Sequence, residues 1–339
     1  MRIGFNPNKD KAQEGNDFFH QVIIPVYIPN QEGYFKDSFQ ILKYCLNSLL
    51  KTSHLKTFIT VVNNGSCRDV TDYLNELYNK EKIHEIIHTA NIGKLNAVLK
   101  GVVGHKFDII TITDADVLFL NDWQKETYCV FNAFPKAGAI SPTPSSKVIK
   151  QYTYNILFEK FFSKKLKFSE VKNREAMLSF ASSIGNPDFY NETHLKSYLT
   201  VSNDNTKAVI GAGHFVTTYR GTIFNNLKNR FSNFKMGGSS EVMFLDKPVV
   251  DQGYWRLSTE DNFAYHMGNV IEPWMGERVS TLEDRSHIET EMPSLKINFS
   301  LKILRFIQAR FFWKTLNKKI IWIWFLQFKG LDKINSKKY

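Results

Sequence analysis

Two carboxylates, Asp114 and Asp116, follow an apolar run and are the residues of this sequence best suited to chemistry. Residues 109–113 are apolar or β-branched, and residues 117–119 are apolar again. This pattern is typical of a buried parallel strand, and ligands of open α/β sheets bind beyond the carboxyl ends of such strands. Carboxylate oxygens are ligands that Mg²⁺ and Mn²⁺ prefer. The pair therefore predicts a divalent-metal site, and the alternative is a strand that ends in an acidic turn.

The elements that would position this pair alternate along the first 120 residues. Strands are predicted at 21–27, 57–62, 83–87 and 109–113, and helices at about 36–50, from about 69, and at about 91–103. Because strands that alternate with helices pair in parallel, the sequence predicts an α/β fold with a doubly wound, largely parallel but mixed sheet flanked by helices.

The composition indicates a folded intracellular protein. The chain has 339 residues, of which 43% are hydrophobic, which is enough for a large core. Its cysteines, Cys45, Cys67 and Cys129, are three in number and widely spaced, so they indicate a reducing compartment rather than a disulfide framework. The N-terminus lacks the apolar core of a signal peptide. We therefore expect a cytoplasmic location.

Polar and glycine-containing motifs recur at the predicted strand ends. They are Pro25-Val26-Tyr27, Asn63-Asn64-Gly65-Ser66, Asn91-Ile92-Gly93-Lys94, Asp114-Ala115-Asp116, Gly211-Ala212-Gly213 and Glu260-Asp261. In order and spacing they resemble the motifs of family 2 glycosyltransferases, over about residues 20–290 with one long unmatched insertion. The resemblance implies the GT-A fold and an inverting transfer of a sugar from a nucleoside-diphosphate sugar.

The resemblance also implies which residues bind the donor and its metal. Asp116 would be the principal ligand of Mn²⁺ or Mg²⁺, and Asp114 would contact a ribose hydroxyl or a metal-bound water. Lys94 would contact the diphosphate or the nucleoside, unless it is an ordinary surface lysine. Asn63 stands where the family frequently has an aspartate that contacts the base, so the nucleobase stays open. The remaining donor-side candidates are Pro25, Tyr27, Asn64, Asn91, Gly93, Gly211 and Gly213.

A general base is expected on the acceptor side. Glu260 and Asp261 open a predicted helix over about 259–267, where the helix macrodipole favours acids. The resemblance makes Asp261 the base and Glu260 an orienting group or an acceptor contact, whereas the alternative is a capped helix whose first turn is acidic. His287 is the candidate for a further metal ligand. His266 is expected to be structural, and His214 is a candidate for lining the pocket.

The predicted domain covers residues 1–294 and a separate tail covers residues 295–339. Within the domain, residues 20–120 form the nucleotide-sugar half and residues 121–294 the acceptor half. The insertion at about 147–207 is expected to shape the acceptor pocket.

The tail carries nearly all of the net charge. From residue 296 onward there are eleven basic residues and one acid, Asp332, so that this segment supplies +10 of the formal +11. Seven consecutive apolar residues at 320–326 include Trp322 and Trp324. Aromatic rings with lysines suit the lipid headgroup level, so we expect an interfacial anchor on an anionic membrane. The alternatives are a helix packed on the domain and, less favoured because the body lacks a basic groove, a nucleic-acid site.

The sequence thus predicts a metal-dependent inverting glycosyltransferase, peripheral on the inner face of the cell membrane, that acts on a glycan or lipid-linked acceptor. No nucleic-acid partner is expected. One alternative is a sugar nucleotidyltransferase, which would favour a Gly-rich basic loop after the first strand that residues 25–29 do not provide. The other is a non-catalytic membrane adaptor with the same fold.

Overall fold

The structure, a computed structural model, describes residues 4–12, 17–203, 205–227, 229–295 and 302–339. Residues 1–3 and 296–301, on which the signal-peptide and tail predictions partly rest, lie outside the described residues. The strands of the described part are β1 His20–Val26, β2 Thr57–Asn64, β3 Glu85–Thr89, β4 Ile109–Thr113, β5 Val117–Phe119, β6 Ala137–Ser141, β7 Leu166–Glu170, β8 Ser197–Asn203, β9 Thr206–Ile210, β10 Val216–Arg220, β11 Trp255–Thr259 and β12 Ala264–His266.

The helices lie mainly between the strands. They are α1 Ser38–Thr52, α2 Arg68–Asn79, α3 Lys94–Val102, α4 Trp123–Ala133, α5 Tyr154–Glu159, α6 Arg174–Ser183, α7 Glu192–Lys196, α8 Thr222–Asn225, α9 Lys247–Asp251, α10 Pro273–Ser280, α11 Lys302–Ile307, α12 Trp313–Leu316, α13 Lys319–Phe328 and α14 Asn335–Lys338. Short 3-10 helices occur at Gly33–Phe35, Ser146–Lys150 and Pro187–Phe189, and π-helical turns at Val242–Asp246 and Gln308–Phe312.

Ten of the described strands form one mixed sheet in the order β3-β2-β1-β4-β10-β6-β11-β9-β8-β7. Strands β1 to β4 are parallel, β10 runs antiparallel between β4 and β6, and β11 is parallel to β6. Strands β5 and β12 form a separate antiparallel pair. The fold class predicted from the sequence is therefore confirmed, and strands β1, β2, β4, β6 and β11 all end at the same edge of the sheet.

The first 120 residues follow the prediction closely. Strand β4 is buried along its whole length, and α1 buries the apolar side of a helix predicted from its spacing. The predicted helix at 259–267 is wrong: β11 ends at Thr259, the chain bends, and β12 pairs with β5. The acidic pair Glu260-Asp261 therefore lies in a connection between strands and not in the first turn of a helix.

The insertion at 147–207 extends the sheet. Strands β7 and β8 continue its far edge, α7 packs beside β8, and α6 packs against α7 and β12. The C-terminal tail is helical and packs on the same body, with Trp322, Phe325 and Leu326 inside the core that β6, β9 and β11 share. No helix among the described residues has the length and apolarity that crossing a membrane requires.

Candidate active site

The carboxylate pair lies where strand β4 ends. The backbone N–H of Asp114 donates to the carbonyl of Phe215, just before β10, and the carbonyl of Asp116 accepts from the N–H of Met267, just after β12. The two carboxylates are thus fixed by chain segments that follow them by about 100 and 150 residues. The sequence places the pair on a strand end, and the tertiary structure fixes its orientation.

Helix α3 brings Lys94 to the pair. Lys94 Nζ lies 2.6 Å from Asp114 Oδ1 and 3.6 Å from Glu241 Oε1. Burial lowers the pKa of Lys94, but Asp114, with smaller contributions from Glu241 and Asp116, more than offsets this effect, so the pKa is raised. Lys94 therefore stays protonated, and its positive charge lies where a diphosphate would need it.

The turn before α3 depends on a glycine. Gly93 has a φ of +89°, and a Cβ added there would lie 2.8 Å from the Cα of Lys235. Asn91 Oδ1 accepts the N–H of Gly93, and the N–H of Lys94 donates to the carbonyl of Lys235. Any side chain at residue 93 would displace the segment around Lys235, which lines the cavity described next.

The first cavity, of about 620 Å³, lies beyond the ends of β1 and β4. It contains most of the predicted donor-binding residues, and the aromatic side chains of Tyr27, Tyr34 and Phe35 form one end of it. The predicted residues that line it are Pro25, Tyr27, Asn64, Asn91, Lys94, Asp114 and Asp116. Its dimensions and mixed lining suit a nucleotide-sized ligand.

A second cavity, of about 300 Å³, adjoins the first at Lys94 and Asp114, which line both. Its walls come largely from the insertion, through residues such as Val148, Met177 and Tyr190, and Gly213, His214 and Asn262 complete them. The two cavities therefore meet at one ion pair.

Three predicted donor-side residues have other roles or positions. The Asn63 side chain is buried, donates to Thr71 Oγ1 and accepts from the N–H of Ser66, so it stabilises the turn after β2. Gly211, with a φ of +101°, lies against Val148, because a Cβ there would come 2.6 Å from the Val148 side chain. Gly213 lines the second cavity but not the first.

The histidine beside Asp116 is His266 and not His287. His266 Nε2 lies 3.3 Å from Asp116 Oδ2, and its Nδ1 is hydrogen-bonded to Ser183 Oγ. The strand pairing of β12 with β5 places it there, and the predicted helix would have turned it away. His287 precedes Ile288, whose carbonyl accepts from Leu55 just before β2 begins. His287 therefore lies near the N-terminal ends of the parallel strands, whereas Asp116 lies beyond their C-terminal ends. The two residues are too far apart to share a metal.

Glu260 is held by two lysines. Its carboxylate lies 3.0 Å from Lys172 Nζ and 3.3 Å from Lys207 Nζ, and its carbonyl accepts from the Tyr198 hydroxyl. Strand β11 lies three strands from β4, or roughly 14 Å at the usual strand spacing. Asp261 Oδ1 accepts the N–H of Asn262, which does line the second cavity, but Asp261 itself lines neither cavity.

Two further titratable side chains line the second cavity. Glu241 begins the segment before α9 and reaches Lys94. His214 donates through Nε2 to Asp246 Oδ1 over 2.8 Å, and Asp246, which is buried, also contacts the buried Arg256 at 2.6 Å. The sequence proposed His214 as a pocket residue. Glu241 was not predicted, because a lone glutamate in an irregular stretch carries no spacing signal.

The carboxylate pair fits a hard divalent cation. Asp116 Oδ1 is buried and has no hydrogen-bond partner among the residues that the structure describes, and burial raises the pKa of Asp116. Within the same residues, no three His, Cys, Asp or Glu side chains converge as a metal cluster. Two carboxylates are nonetheless the usual protein share of a Mg²⁺ site whose other ligands are substrate phosphates.

Comparison with known proteins defines the class. The family model described as Glycosyl transferase family 2 matches residues 22–192, just over half of the chain. The chain therefore belongs to glycosyl transferase family 2 and is a glycosyltransferase by class. A comparison with curated protein sequences gives no match.

Solved structures give low similarities. The mannosyltransferase PcManGT from Pyrobaculum calidifontis, in complex with GDP-Man and Mn²⁺, is 12% identical with a TM-score of 0.41, over 72% of this chain and 55% of that one. TarS 1-349 of S. aureus, in complex with UDP-GlcNAc, is 11% identical with a TM-score of 0.43, over 94% and 69%. A longer TarS structure is 12% identical with a TM-score of 0.43, over 77% of this chain and 38% of that one. The chain thus spans only part of the first proteins it matches.

Proposed function

We propose that this glycosyltransferase moves a sugar from a nucleoside-diphosphate sugar to a hydroxyl group of a glycan or lipid-linked acceptor, with inversion at the anomeric carbon. The observation that carries the proposal is the meeting of the two cavities at Lys94 and Asp114. A donor in the first cavity would place its sugar toward the second, where an acceptor hydroxyl could attack from the side opposite to the diphosphate.

The first cavity suits each part of such a donor. The rings of Tyr27, Tyr34 and Phe35 offer apolar faces to a nucleobase, and Lys94 offers a positive charge to the diphosphate. Asp116, with Asp114, would hold Mg²⁺ or Mn²⁺, which neutralises charge that develops on the leaving phosphates. His266 would orient the Asp116 carboxylate through the contact between its Nε2 and Asp116 Oδ2.

A base is needed to take the proton of the attacking hydroxyl, and two carboxylates compete for this role. The sequence predicts Asp261, which adjoins the second cavity through Asn262. Glu241 lines the cavity itself, 3.6 Å from Lys94. A base must first be within reach of the proton that it removes. On that ground we propose Glu241 as the base, and Asp261 stays a prediction that the experiment below separates from it.

A third cavity, of about 590 Å³, supports an acceptor with more than one sugar unit. It shares Tyr265 with the second cavity, and Trp274 lies against that ring at a centroid distance of 5.6 Å. Glu175, Glu272 and Glu277 line the same groove. Aromatic faces stack on the apolar side of sugar rings, and carboxylates accept hydrogen bonds from sugar hydroxyls.

A thermal-unfolding panel tests the donor site. UDP, GDP, dTDP and CDP are each added with and without Mn²⁺ to the wild type, to Asp116→Ala and to the control Asp72→Asn, whose carboxylate forms an exposed ion pair on α2. A ligand that binds only the folded state stabilises it by about 2.7 kcal/mol at a hundredfold excess over Kd. We expect one of the four nucleotides to raise Tm when Mn²⁺ is present. This shift should occur in the wild type and in Asp72→Asn but not in Asp116→Ala. If no nucleotide shifts Tm, the donor site is wrong and the adaptor alternative gains support.

Two amide variants, Glu241→Gln and Asp261→Asn, test the base. Each removes a carboxylate with little change in size. With the nucleotide sugar found above, we expect Glu241→Gln to lower kcat by about 10²–10⁴-fold while nucleotide binding persists, because a general base contributes a factor of that order. The reverse result, with transfer lost only in Asp261→Asn, would return the role to Asp261.

A further inference from the structure

The docking of the C-terminal helices fixes which of their side chains face outward. On α13, Trp322, Phe325 and Leu326 are buried in the core, and the N–H of Phe168 on β7 donates to the carbonyl of Lys329 just after the helix. The tail therefore packs on the body, and these three residues of the apolar run 320–326 are not available for insertion into a membrane.

The opposite side of α13 is apolar and exposed. Ile320, Trp324 and Phe328 are spaced four residues apart, which places them on one face of the helix. Ile320 is 83% exposed, and about half of each of the other two side chains is exposed. The Trp324 and Phe328 rings stack with their centroids 5.4 Å apart.

This face continues onto two neighbouring segments. Phe161 contacts both Trp324 and Phe328, and beside it Phe162, in the turn after α5, is 84% exposed. Phe161 also contacts Phe312, which follows the exposed Phe311. The exposed Phe306 packs against Phe311 with the ring centroids 6.0 Å apart. We call the exposed members of this group the aromatic face: Phe162, Phe306, Phe311, Ile320, Trp324 and Phe328. A contiguous patch of large apolar side chains on a folded body marks an interaction site.

Exposed basic residues accompany the aromatic face. In the tail they are Arg310, Lys314, Lys318 and Lys319, and in the turn next to Phe162 they are Lys164 and Lys165. The sequence has no acid between residues 289–291 and Asp332. Residues 296–339 carry a formal charge of +10, whereas residues 1–295 together carry only +1. Positive charge is thus concentrated in the tail, and the exposed basic residues named above lie close in sequence to members of the aromatic face.

We infer that the aromatic face docks on an anionic lipid bilayer, with Phe162, Phe311 and Ile320 at the depth of the headgroups and the lysines against lipid phosphates. Aromatic and aliphatic tips beside lysines are the composition that binds such surfaces. A two-fold dimer through this face would bring the same basic residues of two copies together, and like charges oppose that arrangement. This surface includes the 158–168 segment, which the tail prediction from the sequence did not contain.

Vesicle co-sedimentation of the full chain tests the inference. Vesicles of phosphatidylcholine alone are compared with vesicles that also contain phosphatidylglycerol. The apolar variant combines Phe162→Ser with Phe311→Ser, and the charge variant combines Lys318→Glu with Lys319→Glu. Matched controls are Leu55→Ser and Lys82→Glu, which change exposed residues at other places on the surface. Far-UV circular dichroism and nucleotide binding check that each variant is folded, and sedimentation velocity without lipid measures self-association.

We expect the wild type and both controls to bind vesicles that contain phosphatidylglycerol, with weaker binding at high salt. Each double variant should bind at least about tenfold more weakly, because each loses two side-chain contacts with the lipid surface. Three results would overturn the inference: no binding to anionic vesicles, equal binding by the variants, or a lipid-independent dimer that the variants dissociate. The last result would assign the face to a second copy. Because nucleotide binding is measured separately, failure here is distinguishable from failure of the proposed function.

Discussion

The half predicted to bind the donor and the half predicted to bind the acceptor build their cavities in different ways. In the first half, the predicted residues that line the first cavity lie at the ends of β1, β2 and β4 or open the helix α3, and residues 235–236 and 268–269 complete the cavity from the second half. In the acceptor half, the second cavity is assembled from the insertion, the stretch before β10, Glu241 and β12. The first site therefore follows in large part from local sequence at strand ends, whereas the second exists only after distant segments meet.

The difference shows which parts of the site a sequence can reveal. Parallel strands end at a common edge, so a polar residue after a strand is at the site by topology alone. Nothing comparable marks Glu241 or Trp274, because both lie in short helical segments and neither follows a strand. We expect changes in the donor half to affect every reaction of the enzyme, and changes in the acceptor half to act selectively.

Among changes in the donor half, the largest effect is expected from Asp116→Asn. The variant keeps the shape of the side chain but loses the charge that would hold a cation, so transfer should fall by about 10²–10³-fold or more. Initial rates over a range of Mn²⁺ concentrations measure the loss. If the variant reaches the wild-type rate at the Mn²⁺ concentrations that the wild type needs, the assignment of Asp114 and Asp116 to the donor site is wrong.

A selective effect is expected from Trp274→Ala in the third cavity. Removing one aromatic platform should raise KM for an extended glycan acceptor by about tenfold, since stacking contacts contribute of the order of 1 kcal/mol. The donor KM and the rate of donor hydrolysis should stay unchanged. Equal loss with donor and acceptor would show that the groove is part of the donor site or of the fold.

A smaller effect on stability is expected from Gly93→Ala. The new Cβ would crowd Lys235, and the left-handed backbone at residue 93 disfavours alanine, so unfolding free energy should fall by about 1–2 kcal/mol and nucleotide affinity should fall with it. Gly213→Ala is the matched control, because a Cβ there meets no atom within 4 Å. Urea denaturation measures both variants, and similar values for the two would contradict the crowding argument.

The smallest effect concerns pH and lies far from either cavity. His54 is buried and bonded to the Tyr128 hydroxyl, and burial, with a smaller contribution from Lys56, lowers its pKa to about 4. The unfolded chain, with a histidine pKa of about 6.5, takes up the proton first, so stability present above about pH 6.5 is lost as pH falls toward 4. His20, also buried, has a lowered pKa and acts in the same direction.

Urea denaturation at pH 7.5 and pH 5.5 tests this expectation. His54 alone should cost about 1 kcal/mol over that interval. A His54→Gln variant, which cannot take up the proton, should show a shallower decline. An equal decline in the variant would assign the pH dependence to other groups.

The sequence by itself determined the parallel half of the sheet, because unbroken β-branched runs and helical spacing are local properties that burial then confirms in strands such as β4. It also predicted that Asp114 and Asp116 lie beyond the end of a buried strand, but it left Lys94 open as a surface lysine, and only the structure brings Lys94 to Asp114. It could not determine that residues 264–266 form a strand, because acids after a capping residue also suit a helix. Only pairing with β5 decided this, and that pairing brought His266, and not His287, to Asp116.

The tertiary structure alone decided the acceptor side and the outward face of the tail. Glu241 reaches Lys94 through a fold contact that spans almost 150 residues, and no spacing rule connects positions so far apart. The tail's composition predicted an apolar and basic surface, but the packing of Trp322 and Phe325 decided which rings remain outside. The physical reason is the same in both cases. Sequence periodicity determines which side of a helix or strand is apolar, but the segments that pack against that element decide which of its side chains stay exposed to a ligand.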